Sequence, residues 1–227
     1  IKESEQHRNA LAKTGHTTAI NAVDITLQTI MNLREDSLEP CRLKGTYFDR
    51  DKSMEIIKIL NDRTNMFLIY FNEMVLLYLF ERYEKAMEKI ALAERYQDGV
   101  TGTFYIPLLK FYKALILTAN YKTLPAAKKK LAIAEIKHSI RSLQKLTKTS
   151  PENYSNKLYL LLAEQERILG NYVKAEGYYS MAIEQAIANG FMKEEVLSKE
   201  LAALFCLETG RKVWAKKYMT DACETYN

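Results

Sequence analysis

The chain has 227 residues, of which 48% are hydrophobic and 27% charged, with 33 Lys and Arg against 28 Asp and Glu for a net charge of +5. This balance excludes an intrinsically disordered chain, and a mild basic excess without an arginine-rich arm gives no nucleic-acid-binding signature. Only 8 Gly and 4 Pro punctuate the sequence, too few for a many-turned sandwich, so the composition favours long helices joined by short loops.

Turn signals fall at Gly15, at "EPCRLKG", around Asn61, around "QDGVTG", at "NYKTLP", at "TSPEN", at Gly170 and Gly190, and near Gly210. Between them the sequence predicts helices over 17–35, 51–60, 64–80, 83–96, 103–120, 125–148, 152–169, 172–189, 192–209 and 211–225. The run from Met66 to Phe80 holds two clearly polar side chains, Asn72 and Glu73, and is stopped by Glu81 and Arg82. A spanning helix needs about 20 mostly apolar residues, so this run predicts a buried core helix and no membrane span. The helix holding Lys128, Lys129, Lys130, Lys137, Arg141, Lys145 and Lys148 is the most basic, but no aromatics interleave with its lysines as base stacking requires. It reads as a solvated face, and no nucleic-acid partner is expected. Ser150 before Pro151 predicts a capped helix start, while Gly170 and Gly190 suit left-handed helix ends.

The chemistry-bearing residues are scattered. Cys41, Cys206 and Cys223 form an odd set with no CxxC spacing, which suits a reducing, cytoplasmic compartment. Cys41 stands beside Arg42 and near Lys44, where a reactive thiol is conceivable, but a small buried loop residue is the expectation. His7, His16 and His138 are far apart, and no phosphate-cradling glycine loop is present. Hence no catalytic residue, no metal ligand and no cofactor is expected. The opening at Ile1, without methionine or signal peptide, reads as a piece of a longer protein.

Internal repetition is the stronger signal. "ERYEKAMEKIALA" from Glu81, "GNYVKAEGYYSMA" from Gly170 and "GRKVWAKKYMTDA" from Gly210 carry alanines at the same offsets: Ala86 and Ala93, Ala175 and Ala182, Ala215 and Ala222. Alanines seven residues apart share a helix face and let a second helix approach closely. The sequence resembles the tetratricopeptide repeat most clearly over Tyr159, Leu162, Ala163, Gly170, Tyr172, Ala175, Tyr179 and Ala182. It departs from that family in lacking the closing proline and in the 40-residue step from Gly170 to Gly210. The resemblance implies an all-α, tetratricopeptide-like right-handed solenoid of antiparallel helix pairs. It would be one domain over 1–227, with divergent helices over 1–60, two hairpins over 61–149 and the clearest repeats over 150–227. In that family the first helix of each pair lines a concave groove, which here implies Lys157, Leu160, Glu164, Arg167 and Ile168 as binding residues.

The phrases "EPCRLKGTYFD", "NDRTNMFLIYFNEMVLLYLF", "YQDGVTG" and the ending from "YYSMAIEQAIANG" onwards are also similar to the helical segment of large signalling kinases. In those proteins a serine/threonine-kinase-like domain and an AAA or STAND ATPase precede the segment, and GAF and histidine-kinase domains follow. That resemblance implies a non-catalytic regulatory module docking a protein domain or peptide, or alternatively a small-molecule sensor. The last helix keeps Val213, Trp214 and Tyr218, which also raises dimerisation through an uncapped end.

Overall fold

The computed structural model describes residues 2–13, 15–34 and 39–226, and these contain eleven α-helices, no strand, and one isolated bridge between Lys44 and Asp49. All ten expected helices are present to within a few residues. An eleventh, α1 (Lys2–Ala12), precedes them and buries none of its residues, so no apolar period announces it. It is held from outside its own sequence, by an ion pair from Arg8 to Asp24 and a hydrogen bond that Tyr47 donates to Glu5. The chain divides into two compact units, Ile1–Tyr112 and Lys113–Asn227.

Unit 1 holds α1, α2 (Thr17–Arg34), α3 (Arg50–Ile59), α4 (Arg63–Leu79), α5 (Tyr83–Arg95), a 3-10 turn (Gln97–Val100) and the first half of α6 (Tyr105–Asn120). Its centre is α4, which packs against α2, α3, α5 and the 3-10 turn. From Met66 to Tyr78 every residue except Asn72 is buried, so this run is apolar because neighbours cover it on several sides. Phe71 stacks on Phe67 and meets the edges of Tyr105 and Tyr112, which fills the core with aromatic contacts. No helix among the described residues is long and apolar enough to cross a membrane.

Unit 2 holds the rest of α6, α7 (Ala126–Thr147), α8 (Pro151–Ile168), α9 (Tyr172–Ala188), α10 (Met192–Glu208) and α11 (Lys212–Tyr226). Helices α7 to α11 each pack on the next, and α8 also touches α10. The repeated alanines lie where close helix approach requires them: Ala86, Ala93, Ala175 and Ala182 are fully buried, and Ala215 and Ala222 nearly so. A small side chain at such contacts lets the helices approach closely.

Five connections share one geometry. Helices α3, α4, α8, α9 and α10 each end in a left-handed residue, respectively Asn61, Glu81, Gly170, Gly190 and Gly210, and the next helix starts two residues later. The following amide N–H reaches back to a carbonyl five residues earlier in every case: Asp62 to Ile57, Arg82 to Leu77, Asn171 to Glu166, Phe191 to Ala186 and Arg211 to Cys206. The left-handed residue donates to the carbonyl three before it, completing a Schellman motif. Connections this short make each joined pair antiparallel. The expected hydroxyl cap at Ser150 is not formed, because its side chain makes no capping hydrogen bond; Pro151 alone marks that start.

Candidate functional site

The site is built from the loop between α2 and α3. Two buried amides on α2, Gln28 and Asn32, are one helical turn apart and hydrogen-bonded to each other at 2.8 Å. Asn32 donates to the carbonyls of Pro40 and Arg42 at 2.9 and 2.6 Å, and Gln28 accepts from the amides of Tyr47 and Phe48 at 3.0 and 3.3 Å. Together they wind "EPCRLKGTYFD" against the helix. Gly45 is required there, since a Cβ would lie 2.4 Å from the Gln28 side chain. Asp49 then caps α3 by accepting from the amides of Asp51 and Lys52.

This loop forms one wall of a cleft of about 490 Å³, and α4 and α5 form the others. Its lining includes Cys41, Arg42, Arg50, Glu73, Arg82, Lys85 and Lys89. At its base Glu73, the polar residue inside the apolar run of α4, is 2% exposed. Arg50 Nε stands 3.0 Å from one carboxylate oxygen and Lys89 Nζ 2.7 Å from the other. Both cations also approach the ring of Tyr70, at 6.0 and 5.7 Å. An isolated buried carboxylate is costly, and here two cations from separate helices pair with it and hold it in place.

The cleft has more positive charge than Glu73 uses. Arg42 is turned to Asp51 at 2.7 Å, which raises the basicity of the guanidinium and holds the Asp51 carboxyl below its ordinary range. Among the described residues Arg82 and Lys85 have no carboxylate within 4 Å, and the Nε of Arg42 is buried without a hydrogen-bond acceptor, while that of Arg50 is ion-paired with Glu73 at an angle outside hydrogen-bond geometry. In all, five cations line the cleft against Glu39, Glu73 and Glu88. Burial pushes the Cys41 thiol up, against the opposing pull of Arg82 and Lys85, which lowers its thiolate fraction and slows, without blocking, its reaction with an alkylating reagent. Cys41 lies in the loop as expected, but it is half-buried and lines the cleft, whereas a buried residue was the expectation.

The groove residues expected from the repeat lie in unit 2, in other surroundings. Leu160 is fully buried, Lys157 and Glu164 nearly so, and Arg167 and Ile168 are half-buried. Lys157 pairs with Glu194 at 3.0 Å over the ring of Phe191. Arg167 donates to both oxygens of Glu164, at 2.7 and 3.1 Å, and reaches Glu208, which Lys122 also pairs. Tyr179 donates to Glu164, and burial first, then that carboxylate, raises its hydroxyl well above the ordinary range. The charges of these five positions are thus consumed inside unit 2, tying α8 to α9 and α10. A length of charged residues on an amphipathic helix cannot reveal this, because the partners sit 15 to 41 positions away in the chain.

Within the sequence, the signal for the unit 1 cleft was Glu73 in the middle of an apolar helix. Arg50, Arg82, Lys85 and Lys89 carried none, since isolated cations on three segments look like solvent-facing charges. No protein-family model, curated protein or solved structure matches the chain.

Proposed function

We propose that this chain is a non-catalytic interaction and regulatory module that docks an acidic segment of a neighbouring domain or partner protein in the unit 1 cleft. The observation that carries this reading is the pair Arg82 and Lys85 at the cleft, two cations without a carboxylate partner above a buried glutamate already neutralised by two others. A carboxylate entering there gains charge-assisted hydrogen bonds from donors that the fold leaves open. The resemblance to the helical segment of signalling kinases supports the regulatory part of the reading, in which docking at this site governs a parent kinase or ATPase.

A second reading is a small-molecule sensor, favoured by the size of the cleft, which falls in the range of about 300–1,000 Å³ occupied by small ligands. Titration calorimetry with an acidic hexapeptide and with citrate separates the two. Preference for the peptide supports docking, and preference for citrate supports the sensor. Arg82→Glu with Lys85→Glu abolishes either response, and a response unchanged by that pair of substitutions removes the cleft from both readings.

A further inference from the structure

Unit 2 carries a second electropositive feature that the cleft does not explain. Helix α7 presents Lys130, Lys137, Arg141, Lys145 and Lys148 to solvent. At 100° per residue these five lie within about 80° of arc, and at 1.5 Å per residue the row is about 27 Å long. The helix has one acidic residue, Glu135, and Lys113 takes it at 2.6 Å. Among the described residues none of the five cations has a carboxylate within 4 Å. Beside the row, on the face shared with His138, Leu131 is 67% exposed. The apolar face of the same helix, Ala132, Ile136, Ile140 and Leu143, is buried.

Five like charges in one file repel one another, a cost that an anion lying along the row would offset. The geometry restricts which anion. A helix seated in a duplex groove meets phosphates on both flanks, whereas these cations form a single file. A single strand calls for aromatic platforms, and α7 has no Phe, Tyr or Trp. A membrane surface calls for an apolar face to insert, and that face of α7 is already used inside the unit. A partner helix bearing Glu or Asp at i, i+4 and i+7 spacing has the same rise per residue as α7 and matches its row along the full length, with Leu131 as an apolar anchor.

We infer that α7 is a docking face for an acidic helix of a partner protein, separate from the unit 1 cleft. The experiment uses the whole chain and a fluorescein-labelled acidic helical peptide of about 20 residues, with Glu on one face at the α7 spacing and a single Leu. Its controls are a scrambled peptide of the same composition, a duplex RNA of similar length and phosphatidylserine vesicles. Anisotropy is expected to show the in-register peptide binding at least about fivefold tighter than the scrambled one. Lys137→Glu, Arg141→Glu and Lys145→Glu together are expected to weaken it by about tenfold or more while circular dichroism stays unchanged, and binding should weaken with salt. The cleft substitutions Arg82→Glu and Lys85→Glu should leave this peptide's affinity unaltered. Equal binding of the scrambled peptide, no effect of the α7 reversals, or tighter binding of the RNA or the vesicles would each overturn the assignment.

Discussion

The two units each bury a glutamate inside a helix, and what surrounds it differs. Glu164 in unit 2 is closed off: Arg167 and Tyr179 take its oxygens, and Arg167 also meets Glu208, which Lys122 pairs in turn. Glu73 in unit 1 is held by Arg50 and Lys89 but sits at the base of a cleft whose further cations, Arg82 and Lys85, are unmatched. A buried acid that is fully matched acts as a fastener between helices. One that is matched by two cations and shares its cleft with two unmatched ones acts as part of a binding site.

The largest expected effect breaks this comparison directly. Glu164→Gln removes the buried carboxylate that Arg167 and Tyr179 share and leaves Arg167 only its contact to Glu208, and breaking a buried pair of this kind typically costs about 3 kcal/mol. Glu73→Gln leaves Arg50 and Lys89 at a cleft open to water, and the loss should be nearer about 1–2 kcal/mol. Urea unfolding of the two variants measures both, and equal losses would mean that the cleft is no more open than the interior of unit 2.

Next is packing. Ala175→Leu places an isobutyl group at a close helix contact and should destabilise by about 1–3 kcal/mol, visible as a lowered melting temperature. Ala86→Leu should do the same in unit 1. An unchanged melting temperature in either variant would refute the close approach at that contact.

The shared connections allow a smaller and signed effect. Unit 2 uses glycine for all three left-handed residues, while unit 1 uses Asn61 and Glu81. A left-handed residue with a Cβ is strained by roughly 1–2 kcal/mol, offset in part by the greater chain entropy that glycine loses. Glu81→Gly should therefore stabilise by about 0.5–1 kcal/mol, and Gly210→Ala should destabilise by about 1 kcal/mol. No atom lies within 4 Å of a Cβ at Gly210, so the second change reports backbone strain alone.

The smallest effect is a pH dependence. Partial burial opposes ionisation of Glu208, yet Lys122 and Arg167 hold its carboxyl below the ordinary range. Its contribution is present above the unfolded value and is lost as pH falls through the folded one. Melting temperatures measured from pH 6 down to 3 should therefore fall more steeply in the native chain than in Glu208→Gln.

Much of the fold was legible because it is local. Alanine spacing, the glycine punctuation and the apolar run of α4 each reflect contacts repeated at helical periods, and the buried positions follow those periods. The turns at Asn61 and Glu81 were harder to read as the same device, since neither residue is a glycine. α1 was illegible because two side-chain contacts, and not its own burial, hold it. The cleft was only partly legible. Glu73 was conspicuous, but its partners Arg50 and Lys89 come from other helices. The buried state of Lys157 and Glu164 was hidden for the same reason: sequence spacing gives the face of a helix, and the identity of the face opposite comes from tertiary packing.

The most direct test of the cleft uses its own cysteine. Cys41 lines the cleft and Cys223 is exposed on α11, so one chain holds both a reporter and an internal reference. Alkylation by iodoacetamide is followed at each by mass spectrometry, with and without the acidic hexapeptide at saturating concentration. The peptide is expected to slow modification of Cys41 by about tenfold, because an occupied site excludes reagent, and to leave Cys223 unaffected. Modification of Cys41 at the same rate with and without the peptide would contradict docking in the cleft.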